Sequence, residues 1–196
     1  MNLKKLFFAA VIVLSANATF AQADSKVASH LVTITVPQIA LLDLEVASGT
    51  TDVTLAGTAP TEAGLPMTFG TAATNATIWM NYSSIVKGAL LRNVSVAITN
   101  GTVPSGLKLT VEASAASADG KGTLGTASSE LILTNVAQSI VTGIGSSYTG
   151  NLASKGRSLT YKLNYATDEA TNYAALRYVD IADVSPLTIT YTLTDI

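Results

Sequence analysis

Residues 187–195 read Leu187-Thr188-Ile189-Thr190-Tyr191-Thr192-Leu193-Thr194-Asp195. An apolar side chain stands at every odd position from 187 to 193 and a threonine at every even one, and a period of two is the pattern of a strand with one face buried and the other in water. A helix would scatter the same residues around its circumference. Threonine, isoleucine and tyrosine also pack well on a pleated surface. The stretch predicts a strand that has an apolar layer to face.

The same alternation recurs toward the N-terminus. Leu159, Tyr161, Leu163 and Tyr165 share one parity, and Leu107, Leu109, Val111 and Ala113 alternate with Lys108, Thr110 and Glu112. Val94, Val96 and Ile98 alternate with Asn93, Ser95, Ala97 and Thr99, and the turn pair Asn100-Gly101 follows. The 94–98 and 107–113 runs are expected to pair as an antiparallel hairpin. Further strands are expected at 53–56, 77–86 and 131–136. Ala40, Leu42, Leu44 and Val46 alternate with Leu41, Asp43 and Glu45, and before them His30, Val32, Ile34 and Val36 alternate with Ser29, Leu31, Thr33 and Thr35 until Pro37 ends the run.

Eight or so short strands with one apolar face each, separated by Gly, Ser and Asn turns, give an all-β fold class: an antiparallel two-sheet β-sandwich, immunoglobulin-like in kind. Helical periodicity is poor, and the best candidate, 168–178, allows at most one short helix. Segment 143–156 reads as a long flexible loop. The Ala, Ser and Gly-rich segment 113–129 reads as an exposed one.

Lys4 and Lys5 precede an apolar run over 6–14 and then Ala21-Gln22-Ala23, which is the order of a secretory signal peptide. Residues 1–23 are expected to be that leader, with Thr19-Phe20-Ala21 a second cleavage site, and 24–196 a single β-sandwich domain. The run is too short to span a bilayer, which needs ~20 apolar residues. The expected location is therefore outside the cytoplasm: periplasm, cell surface or medium.

Cleavage removes two lysines and no acid, so the formal charge moves from −2 to about −4. That balance argues against a polybasic nucleic-acid surface. Charged residues make up only 12% of the chain, about half the ~25% of ordinary soluble domains, so hydroxyls must dress the surface. There is no cysteine, and a domain of ~170 residues can hold itself together by burial alone, since it hides ~70% of its unfolded surface.

Reactive constellations are scarce. A Ser-His-Asp arrangement would need His30, the one histidine, and no Gly-x-Ser-x-Gly elbow exists. His30 is instead expected to close a core face or meet solvent at a sheet edge. No Cys/His cluster suggests zinc, and the close acid pairs, Asp168-Glu169 and Asp180 with Asp183, lack calcium-loop spacing. Asp119-Gly120-Lys121-Gly122 reads as a turn rather than a phosphate cradle. No catalytic residue, metal or cofactor is expected.

Trp79, with Tyr82 nearby, is the low-specificity ligand candidate. Its same-parity neighbours Thr77, Asn81 and Ser83 are polar, which would turn the indole outward where a sugar ring can stack. A sandwich tryptophan more often fills the core, and that is the expectation here. Asn75, Asn81 and Asn93 each begin an N-glycosylation sequon.

Two segments carry a family resemblance. Ser105-Gly106-Leu107-Lys108-Leu109-Thr110-Val111, followed by Ala113-Ser114, and the opening stretch 187–195 resemble the two signature strands of the bacterial WxL domain. Leu107 with Leu109, and Tyr191 with Leu193, occupy the motif positions, and neither signature tryptophan is present. The resemblance covers roughly the C-terminal half and implies a sandwich held non-covalently on the cell wall. A looser likeness to fimbrial subunits implies that run 27–36 either completes a neighbour's sheet or pairs within its own domain. The expected function is a non-enzymatic structural, adhesive or envelope-associated one, partnered by further copies of itself or by a surface glycan. The alternative is a carbohydrate-binding module using exposed aromatics.

Overall fold

A computed structural model describes residues 26–178 and 186–196. The chain divides into two compact units, Met1–Thr35 and Val36–Ile196. The described part of the first, residues 26–35, forms no helix or strand and is exposed throughout. The expected leader and the pair Asp180 and Asp183 lie outside the described residues.

The second unit is all-β and sandwich-like. Its strands are β1 (Ile39–Val46), β2 (Thr74–Ile85), β3 (Arg92–Asn100), β4 (Leu107–Ala113), β5 (Lys121–Ala127), β6 (Leu131–Ile132), β7 (Gln138–Tyr148), β8 (Arg157–Tyr165) and β9 (Thr188–Asp195). Every neighbouring pair is antiparallel. The one short helix, α1 (Glu169–Asn172), continues into a 3₁₀ turn at Tyr173–Ala175, within the expected 168–178 segment. Asp168 caps it by accepting from the Thr171 amide at 2.8 Å.

β2 organises the layers. One edge takes β1, with Leu42 opposite Tyr82 and Glu45 opposite Trp79. The other edge takes β8 along its first half and β7 only at Ser83 and Ser84. β4 and β6 extend the layer beyond β8, while β7 carries β5 on one side and β3 with β9 on the other. The result is one layer ordered β1-β2-β8-β4-β6 and a second ordered β5-β7-β3-β9, joined through the β2–β7 corner.

Period-two alternation decides which side chains meet between the layers. Ile78, Met80 and Tyr82 of β2, Leu109 and Val111 of β4, and Leu159 and Tyr161 of β8 are buried against Val94, Val96 and Ile98 of β3 and Ile140, Val141 and Ile144 of β7. Ile189, Tyr191 and Leu193 of β9 pack on this cluster while remaining half-buried.

Several expectations are corrected. Runs 94–98 and 107–113 do not pair with each other: β3 lies between β7 and β9, and β4 between β6 and β8. Run 30–36 and run 53–56 form no strand, although Val53 and Leu55 pack on the core. Of 131–136 only Leu131–Ile132 is strand.

The two expected loops contain the second half of β7 and all of β5. Alternation fails in β7 because it takes extra residues against β3: Arg92 faces Ile144, Val94 faces Val141, and Ser95 faces Ser139. Gly143 sits in the first of these bulges with φ +74°, and the Asn93 side chain accepts from its amide at 3.1 Å. β5 is rich in glycine because its backbone lies close to β7. A side chain at Gly122 (φ +87°) would strike the Ser146 carbonyl.

Candidate functional site

Buried polar side chains tie the two layers across their interior. Arg157, fully buried, comes from β8 and donates to the Leu124 and Gly125 carbonyls of β5 at 2.9 and 2.7 Å, to the Ser114 carbonyl at 2.8 Å and to the Tyr82 hydroxyl at 3.1 Å. Arg92, equally buried, reaches from β3 to the Ile39 carbonyl, the Ser84 hydroxyl and the Asp195 carboxylate. Tyr161 of β8 and Tyr191 of β9 share a hydroxyl–hydroxyl hydrogen bond of 2.7 Å. Burial raises the pKa of both phenols. Neither arginine was singled out from the sequence, yet parity marks both: Arg92 shares the inward phase of Val94 and Val96, and Arg157 that of Leu159 and Tyr161.

Arg92 and Tyr191 belong to the flank where β1 and β9, one edge strand of each layer, face each other. Between them runs a slot of about 380 Å³ lined by Leu42, Leu44, Ile189 and Tyr191, with Asp43, Thr51 and Thr190 at its rim. β9 hydrogen-bonds to β3 on one side only. Its threonines 188, 190, 192 and 194 are exposed on the outer face, and the Thr190 hydroxyl lies 2.7 Å from that of Thr99. The slot offers apolar side chains and a row of backbone donors and acceptors, which is chemistry for a strand.

A second groove, about 320 Å³, lies on β1 and β2 under residues 150–151. Leu41, Leu42, Asp43, Glu45, Asn81, Tyr82, Ser83, Gly150 and Asn151 line it. Trp79 flanks it, half-buried, with Glu45 opposite on β1 and Ser158 opposite on β8. The core expectation for Trp79 is therefore corrected, since the indole shares the parity of Thr77 and Ser83 and not that of the buried Met80. Tyr82 has the opposite parity and is buried, and its hydroxyl donates to the Leu124 carbonyl. The two aromatics thus lie on opposite faces of β2 and form no common platform.

The remaining candidates disperse. Leu109 is buried and Leu107 half-buried on β4, while Tyr191 and Leu193 are half-buried on β9 in the other layer, so Leu109, Tyr191 and Leu193 pack in or on the core. His30 is exposed in the first unit. Asp119 binds Lys155 at 2.9 Å and accepts from Ser117 at 3.1 Å, which holds its carboxyl below the usual range. Asp168 is spent as a helix cap. Asn81 is buried with its amide donated to the Leu152 carbonyl, Asn93 accepts from Gly143, and Asn75 accepts from Thr77 at the surface, so each sequon side chain has a partner in the chain. Among the described residues no three His, Cys, Asp or Glu side chains cluster as metal ligands.

Comparison of the chain with protein-family models, with curated proteins and with solved structures finds no match in any of the three.

Proposed function

We propose that the protein is an exported, non-enzymatic structural or adhesive component of a bacterial envelope, released from a 1–23 signal peptide and acting through association. The observation that carries this reading is the exposure of Val32, Ile34 and Val36 at 69, 83 and 71%, an alternating apolar run of the kind that soluble chains cover with a partner. The hydroxyl-bearing faces of β3 and β9 and the sparse charge suit neutral contacts with a wall polymer or with further copies. The WxL-like positions in β4 and β9 support the same surroundings for the sandwich, and attachment there would rest on surfaces other than the two missing tryptophans.

Fractionation of the native host tests it. The chain should leave the cytoplasm without residues 1–23, sediment with the envelope or with large assemblies, and be released by denaturant. A cytoplasmic chain with its N-terminus intact would refute the reading.

A second reading, glycan binding, is favoured by one observation: Trp79 lies on an outer face beside a groove edged by Asp43, Glu45 and Asn151. A shift in Trp79 fluorescence on adding wall oligosaccharides, absent in Glu45→Ala, would support it. Unchanged emission at millimolar sugar would remove it.

A further inference from the structure

We propose that the groove on the outer face of β1 and β2 binds a hexosamine that carries a free ammonium group, with the sugar ring against Trp79 and the ammonium between Asp43 and Glu45. The inference rests on the glycan-binding reading and names the class of sugar.

Period two turns Leu41, Asp43 and Glu45 of β1 outward while Leu42, Leu44 and Val46 pack on the core. Register sets each outward residue against one of β2: Leu41 against Ser83, Asp43 against Asn81, Glu45 against Trp79. Directly opposed side chains have Cβ atoms ~4.5–5.5 Å apart and diagonal ones ~7–8 Å. Both carboxylates are therefore within reach of one small cation beside the indole.

No cation of the fold meets these acids. Among the described residues the ion pairs join Arg92 to Asp195, Lys155 to Asp119 and Lys162 to Glu130, so Lys155, the cation of the segment that walls the groove, is engaged elsewhere. Asp43 accepts from the adjacent Leu44 amide at 2.8 Å, and Glu45 has no hydrogen-bond partner among the described residues. Asn81, which lines the groove, is 4% exposed, and its Oδ1 is the one buried side-chain polar atom of the described residues without a partner. Such atoms are nearly always paired. Two carboxylates and an unpaired amide oxygen give the groove a negative potential, which its walls focus on an entering cation.

The wall is fixed by the fold. Asn81 Nδ2 donates to the Leu152 carbonyl at 3.1 Å, the Thr149 amide to the Tyr82 carbonyl at 3.1 Å, and the Tyr82 amide to the Thr149 hydroxyl at 2.9 Å, which holds residues 150–152 beside β2. A groove shaped in advance loses little affinity to ordering.

Its volume, about 320 Å³, is at the small end of ligand sites, ~300–1,000 Å³, and suits a short saccharide. A divalent metal would ask for more carboxylate ligands, and among the described residues no third acid or histidine joins the pair. A lysine side chain would neutralise the acids but leave the indole face, the Ser83 hydroxyl and the Asn151 amide unused. A neutral sugar would displace water from Asp43 and Glu45 without replacing their charge partner. An aminated ring stacks on Trp79, bonds the polar rim through its hydroxyls and supplies the cation.

Trp79 is the one tryptophan of the chain, so its emission reports on the groove, with calorimetry as the second readout. The full chain is titrated at about pH 6, where the amines are protonated, with a glucosamine tetramer, its N-acetylated counterpart and tetralysine. The glucosamine tetramer should bind about tenfold more tightly than the acetylated one, as a charge-assisted hydrogen bond provides. Glu45→Gln and Asp43→Asn, each shown to be folded by circular dichroism, should remove most of that preference, and Glu62→Gln, an exposed acid outside the groove, should keep it. Equal affinity for the two tetramers overturns the inference and leaves the glycan reading standing, whereas no binding of either removes both. Tetralysine binding as tightly as the glucosamine tetramer also overturns it, the groove then taking a basic peptide.

Discussion

The hydroxyls of Tyr161 and Tyr191 meet 2.7 Å apart between the two layers, one contributed by β8 and the other by β9. This bond anchors the inner face of the edge strand whose outer edge is open. Tyr191→Phe should cost about 1–3 kcal/mol by leaving the Tyr161 hydroxyl buried without its partner. Tyr161→Phe/Tyr191→Phe together should cost less than the sum of the singles, and urea midpoints in a double-mutant cycle measure the difference.

The same pair gives a pH dependence. Burial raises both phenol pKa values in the folded state, so folding favours the protonated forms. Their contribution is fully present below the unfolded tyrosine value of ~10 and is lost as pH rises beyond it. Urea midpoints should be flat from pH 7 to 9 and fall above pH 10. The double Phe variant should show a shallower fall, and an equal slope would contradict the assignment.

Arg157 is the more consequential tie. Arg157→Met would take the guanidinium donor from the Ser114 and Gly125 carbonyls and from the Tyr82 hydroxyl, leaving the Leu124 carbonyl with the Tyr82 hydroxyl alone, and a loss of ~3 kcal/mol or more is expected from hydrogen bonds to a charged group. Lysine should rescue little, because an ammonium cannot reproduce the planar fork. Chemical denaturation of both variants settles it; restoration of more than half the loss by lysine would contradict the geometry.

Trp79 and Tyr82 make a paired prediction. Tyr82→Ala opens the core and should cost ~3–5 kcal/mol, whereas Trp79→Ala removes a half-buried ring from the outer face and should cost less than half as much. The indole should also be readily quenched by acrylamide. Equal destabilisation by the two substitutions would place Trp79 in the core after all.

Gly122 tests the β5–β7 approach. Gly122→Ala forces a left-handed φ on an alanine and drives its methyl against the Ser146 carbonyl, so the variant should lose more than ~1 kcal/mol. Gly49→Ala, left-handed but open to space, is the control for strain alone.

Alternation was legible wherever a strand keeps strict register. The runs in β2, β3, β4, β8 and β9 show which face is buried, and together they yield the two-layer class. It was illegible where the backbone departs from register: β7 lies partly in the supposed loop 143–156 and partly where no strand was expected, because its bulges place Ile140, Val141 and Ile144 inward out of phase, and β5 lies in the other supposed loop because close strand approach demands glycine where propensity expects β-branched residues. Strand partners were hidden as well. Asn100-Gly101 promises a hairpin, but β3 is claimed by β7 and β9, since local turn chemistry does not outweigh two long-range ladders. At the candidate site, the sequence showed the apolar alternation of 30–36 and the face of β9. The openness of the β9 edge depends on which strands happen to flank it, and that is a property of topology.

The account turns on association of the exported chain with the envelope, and fractionation of the native host, with the N-terminus of the recovered chain sequenced, tests it most directly. The chain should be found outside the cytoplasm, begin after residue 23 and be released from the envelope only by denaturant. Recovery from the cytoplasm with residues 1–23 intact would contradict it.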